Sequence, residues 1–187
     1  MEMCPPEAMG GMGPMHMEAM PPYACDGLDM SMMEAMPPEA MAGMDASMMS
    51  HMPPEAMGGF DAGMMEAMPP EAMAGMGPMH MEMCPPDACS GMGPMHMEAM
   101  PPCAVDGMGP MHMEAMPPEA VGGFDASMMS HMSPDAMGGM GPMHMEAMPP
   151  EAMAGMPPGY EAIDPMTGNA PLPVSYTHLR AHETSID

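Results

Sequence analysis

An all-α, elongated solenoid of short repeats is the fold class this sequence predicts, on three observations. A Pro-initiated motif recurs without interruption at one fixed interval, a sixteen-residue unit, with copies beginning at Pro5, Pro21, Pro37, Pro53, Pro69, Pro85, Pro101, Pro117, Ser133 and Pro149. Across the units, Ala at position four (Ala8, Ala24, Ala40 onward) and Gly at position seven (Gly11, Gly27, Gly43 onward) never vary. Apolar residues return at positions five, eight, thirteen and sixteen, as in Met41, Met44, Met49 and Met52. A spacing of three puts two apolar side chains on one face of a short helix in each half of the unit.

The first half reads like "PPEAMAGM". Proline in a first turn has its φ preset and lacks an N–H that would go unbonded there, and the acid that follows suits a helix start. The unvarying Gly closes the segment, through either a positive backbone dihedral or a close approach by another chain segment. The second half comes in two versions, "GPMHMEAM" and a form such as "DASMMSHM", opened by Gly-Pro or by Asp. Two helical turns per unit follow, each too short to be stable alone, so they are expected to stack on neighbouring units into Met-rich columns with the acids facing water. The competing expectation is a largely disordered low-complexity chain, since the sequence holds 29 Pro, 22 Gly and no Trp at a net charge of -25.

The register spans residues 1–156 and then stops. Residues 157–173, "PPGYEAIDPMTGNAPLP", read as a linker or the start of another region. Because "MEMCPP" at Met1 matches "MEMCPP" at Met81, the chain is expected to begin inside a repeat, with the natural N-terminus upstream. Residues 174–187 have a different texture and hold the only basic side chain, Arg180, with His178 and His182. Val174 to Glu183, "VSYTHLRAHE", resembles the translation of a transposase-type sequencing-library adapter, which implies an artefact to be set aside from fold and function. Pro5 to Met156, through "PPEAMAGM", resembles the short tandem repeats of "PPEAFAGM" type in large bacterial surface or secreted proteins. That resemblance implies an extracellular or cell-envelope structural setting.

Without its tail the chain has no Lys or Arg at all. Nucleic acids and anionic membrane surfaces are recognised through such cations, so neither is an expected partner. No apolar run reaches the length of a membrane span, and no membrane insertion is expected. Cations or a cationic protein are the partners electrostatics permits.

The 44 Met residues admit two readings. Thioether and imidazole are soft or borderline donors suited to Cu(I) or Ag(I), and "PMHMEAM" offers them side by side. Core packing is the alternative, because Met fills irregular interiors well. Exchanges between copies separate the columns: position five accepts Val105 and Val121, and position eight accepts Leu28, Phe60 and Phe124, which keep apolarity and discard the sulfur. Position thirteen is Met in every complete copy, and in five units a His precedes it. The candidate soft-metal residues are therefore His16, Met17, His80, Met81, His96, Met97, His112, Met113, His144 and Met145. The five Cys include no CxxC pair; Cys4, Cys25, Cys84 and Cys89 take the place of Met in apolar columns and are expected as buried thiols, while Cys103 replaces an acid. Ser, His and carboxylates recur from copy to copy with no singular constellation, so no enzyme is expected. The function expected is a non-enzymatic structural or adhesive segment of a larger exported protein, with a soft-metal binding or storage tract and a disordered spacer as alternatives.

Overall fold

The structure, a computed structural model, describes residues 6–156. Cys4, the linker at 157–173 and the adapter-like segment at 174–187 lie outside the described residues. Within them every unit folds into short helices, and no strand is present among the described residues. The all-α short-repeat solenoid is the fold, in place of the disordered alternative.

The two halves differ in kind. The first half is a 3₁₀ helix in most units, for example Pro38–Gly43, and the second is an α-helix, for example Ala46–His51. Pro37 stands in extended conformation before the 3₁₀ segment and Pro38 opens it, so two consecutive amide donors are missing. The amide of Ala40 donates to the Pro37 carbonyl at 2.9 Å, and Met44 closes the turn by donating to Met41 at 3.0 Å. Bonding between residues three apart eclipses side chains three apart. Positions five and eight therefore project together, and both are buried, as in Met41 and Met44.

Stacking follows a rule that the repeat period does not announce. Every contact between helices joins half-units three apart. One face of the solenoid thus consists, in order, of Pro14–Glu18, Pro38–Gly43, Ala62–Ala67, Pro86–Gly91, Pro110–Ala115 and Pro134–Gly138. Three half-units make one turn of a three-sided coil, whereas two half-units make one chemical repeat. Neighbouring units do stack, but by halves: the first half of one packs against the second half of the next, as Pro38–Gly43 against Ala62–Ala67, while consecutive half-units lie on different faces and first halves alternate with second halves up each face.

The unvarying Gly explains itself at one of the two interfaces this alternation creates. A Cβ at Gly91 would sit 1.9 Å from the carbonyl oxygen of Ala62, and one at Gly123 would sit 2.0 Å from that of Pro94, each on the coil beneath. None of these glycines has a left-handed φ, so close approach and not dihedral freedom is the reason for glycine. With hydrogen in place of Cβ, the glycine Cα turns toward the carbonyl in the manner of a Cα–H···O contact. Ala at position four is fully buried beside it, as in Ala88 and Ala120.

The interior is one continuous cluster formed by positions four, five, eight, twelve, thirteen and sixteen. Position twelve is an addition to the columns read from sequence; Met32, Met48, Met64 and Met128 fill it in the Asp-opened units. Acids at position three and in the second halves face solvent, as expected.

Two adjacent glycines make a controlled test. Gly123→Ala should destabilise the chain by about 1–3 kcal/mol, the usual cost of overpacking, whereas Gly122→Ala, whose Cβ would meet only Pro94 Cβ at 3.9 Å, should stay within about 0.5 kcal/mol of the parent; chemical denaturation reads both. Deletions test the coil. Removing Pro69 to Cys84, one chemical unit, keeps first halves stacked on second halves and should preserve helical circular dichroism and cooperative melting. Removing Pro69 to Met92, one whole turn, places like on like wherever the coils meet across the junction and should lower the thermal midpoint well below that of the chain lacking one unit.

Candidate functional site

The five His–Met pairs sit in the second-half helices, and four of the histidines point inward. His80 occupies the third position of the helix Pro78–Met83. Its Nδ1 accepts the Gly77 N–H at 2.9 Å, and its Nε2 lies 2.8 Å from the carbonyl oxygen of Met52, on the coil beneath. An imidazole that accepts at Nδ1 must carry its proton at Nε2 to donate to a carbonyl, which assigns the neutral Nε2–H tautomer. His96 bonds Gly93 and Met68 in the same way, His112 bonds Gly109 and Cys84, and His144 bonds Gly141 and Met116. All four are 8–9% exposed. His16 accepts the Gly13 N–H at 3.0 Å and is exposed.

Met17, Met81, Met97 and Met113 are fully buried in the core, and Met145 is partly buried. The structure thus brings each buried His and the following Met to the same interior, but with both nitrogens of the four buried imidazoles already bonded. A metal at any of these four would have to displace the glycine amide or the carbonyl. Among the described residues no group of three or more His, Cys, Asp or Glu is placed to hold a metal ion.

The His has a structural counterpart in the other class of unit. Where the second half opens with Asp, the carboxylate reaches forward to the position-twelve amide: Asp45 Oδ1 accepts the Met48 N–H, and Asp61 Oδ1 the Met64 N–H, both at 2.8 Å. Where it opens with Gly there is no side chain to reach forward, and the position-twelve His reaches back. These are the two reciprocal bonds of a capping box, divided between two classes of repeat. Gly at position nine occurs with His at twelve, and Asp with Met, in every complete second half. That pairing was present in the sequence and is the signal that identifies the column. The backbone accommodates either choice, since Gly93 and Asp45 are both extended, at φ -110 and -125.

Two further histidines are on the surface. His51 lies 3.2 Å from Asp26, and His131 lies 3.4 Å from Asp106, each pair bridging successive coils. Asp26 and Asp106 are the only acids at position six. Exposed pairs of this kind contribute little to stability. The serine hydroxyls are also spent locally: Ser50 donates to the Ser47 carbonyl at 2.8 Å and Ser130 to that of Ser127 at 2.7 Å.

Cys25, Cys84 and Cys89 are buried thiols, as expected, and Cys103 is exposed. Burial, followed by the nearby Asp26 and Asp45 carboxylates, pushes the Cys25 thiol up to about 11. Cys84 is also held above the ordinary thiol range, first by a hydrogen bond with Cys89 and then by burial.

No family model, curated protein or solved structure matches this chain. No helix among the described residues is long and apolar enough to cross a membrane.

Replacing His96 by Met leaves the Gly93 amide and the Met68 carbonyl without their partner and should cost about 1–3 kcal/mol. Adding Gly93→Asp to that variant supplies the forward cap and should recover about 1 kcal/mol. The readout is thermal and denaturant unfolding of the parent, both single variants and the double variant. Additivity of the two changes would contradict the exchange of one cap for the other.

Proposed function

We propose that this chain is a non-enzymatic structural or adhesive repeat segment of a larger exported protein. The observation that carries the proposal is the commitment of the recurrent side chains to the coil. Positions four, five, eight, twelve, thirteen and sixteen fill one interior, four histidines fasten coil to coil through Nε2 while Nδ1 caps their own helix, and Asp caps the second-half helices of the other units. Among the described residues the surface carries acids and no Lys or Arg, beside a few exposed Met side chains, and is suited to keeping an extended rod soluble and open to cations or a cationic protein. Solenoids of this type grow by repetition and offer length and surface in place of a reaction centre.

A soft-metal tract remains the rival reading, because the position-thirteen thioethers are constant and the position-eleven residues Met15, Met79, Met95, Met111 and Met143 are 58–80% exposed. Replacing every position-thirteen Met by Leu separates the two. Volume and apolarity are nearly kept, and such a swap costs less than about 1.5 kcal/mol per site. The structural reading expects both chains to be equally helical and to hold no Cu(I) against a competing chelator beyond the level of scattered thioethers. Tight uptake of about one Cu(I) per repeat by the parent, lost in the Leu chain while its helical signal persists, would establish the metal reading instead.

A further inference from the structure

Positions sixteen and five of successive units flank the Pro-Pro corner between one face of the coil and the next. In most units this pair of columns holds Met with Met or Met with Val, such as Met52 with Met57 and Met116 with Val121. At one corner among the described residues both are cysteine: Cys84 and Cys89. Both are essentially fully buried in the same core cluster, where the Cys84 thiol donates to the Pro85 carbonyl at 3.7 Å and neighbours Cys89. Elsewhere among the described residues a cysteine in these two columns stands alone, Cys25 beside Met20, and only here do two thiols face the same corner.

We infer that Cys84 and Cys89 form a disulfide cross-link across this corner when the chain folds in the presence of a small-molecule disulfide. A neutral S–S bond suits an apolar interior better than any ionised thiol. The short separation in sequence and a proline-fixed corner bring the two sulfurs together without long-range closure. With oxidised glutathione as co-reactant, one cysteine loses its proton to solvent, and its thiolate attacks a glutathione sulfur. The glutathione S–S bond breaks, the expelled thiolate takes up a proton, and a mixed disulfide remains. The second cysteine, also deprotonated, attacks the protein sulfur of that mixed disulfide and expels the second glutathione. The two protein thiols are oxidised to one disulfide, and one glutathione disulfide is reduced to two thiols.

Burial gives the site a memory. Attack requires a thiolate with access to the oxidant, and the folded corner denies both. The link is therefore set while the chain folds and is slow to form or break afterwards.

The test uses the full chain with Cys4, Cys25 and Cys103 replaced by Met, Met and Glu, the residues that other copies carry in those columns. Refolding from denaturant with oxidised and reduced glutathione should give a protein lighter by two hydrogens, without bound glutathione and with no free thiol. Peptide mapping should join Cys84 to Cys89, and the thermal midpoint should exceed that of chain refolded under reductant. The reduced, folded protein should resist the same glutathione mixture for far longer than the refolding takes. Cys84→Met and Cys89→Met, which restore the residue of other copies, should fold alike and show only single-thiol chemistry. Retention of both free thiols after oxidative refolding, or stable glutathione adducts on both cysteines, would overturn the cross-link. Rapid oxidation of the already folded chain would overturn the memory.

Discussion

The approach of a glycine Cα to a peptide carbonyl one coil below fixes the spacing on which the other contacts depend. The space a Cβ would need at Gly75, Gly91, Gly107 or Gly123 is already taken by the carbonyl oxygen, and a close-packed interior has no slack for the backbone to retreat into. Holding two short helices that close brings Ala at position four into the interior and sets the depth at which Met meets Met. The other interface is fastened differently, by imidazoles reaching down to carbonyls in the units that carry His. Up each face, contact through a bare Cα therefore alternates with contact through side chains.

Helices this short cannot persist alone, because the cost of fixing the first turn exceeds what so few bonds return. Stability has to come from the stack, and the stack is built from residues with unusual tolerance. Met, with three rotatable bonds and a polarisable sulfur, serves both in the 3₁₀ half, at positions five and eight, and in the α-helical half, at thirteen and sixteen. A stiffer side chain fitted to one of these surroundings would be mismatched to the other. Phe60 and Phe124 are accommodated only at position eight, and Val105 and Val121 only at position five.

Much of this was legible in the sequence, for identifiable reasons. The period, the inward columns at five, eight, thirteen and sixteen, and the outward acids follow from spacing alone, since a separation of three selects one face of any short helix. The burial of Cys25, Cys84 and Cys89 followed from the columns they occupy. Position twelve was obscured because His16 or His80, read singly, looks like a polar residue or a ligand; only its exchange with Met, in step with Gly and Asp at position nine, reveals it as an interior cap. The stacking partner was not legible, because the two halves share one apolar spacing and nothing in it distinguishes the neighbour two halves away from the one three away. The glycine was read with two explanations, and only the position of the carbonyl beneath it decides between them.

The mismatch between a unit of two halves and a turn of three has a consequence for whatever the solenoid carries. Inserting one chemical unit advances the chain by two thirds of a turn while leaving each local contact intact. Copy number therefore controls azimuth as well as length: one added or lost unit swings all downstream chain to another of three bearings, and three units restore the original bearing. Duplication and loss of repeats, changes to which any tandem array is open, would here act as a three-position rotary setting for the parts at either end.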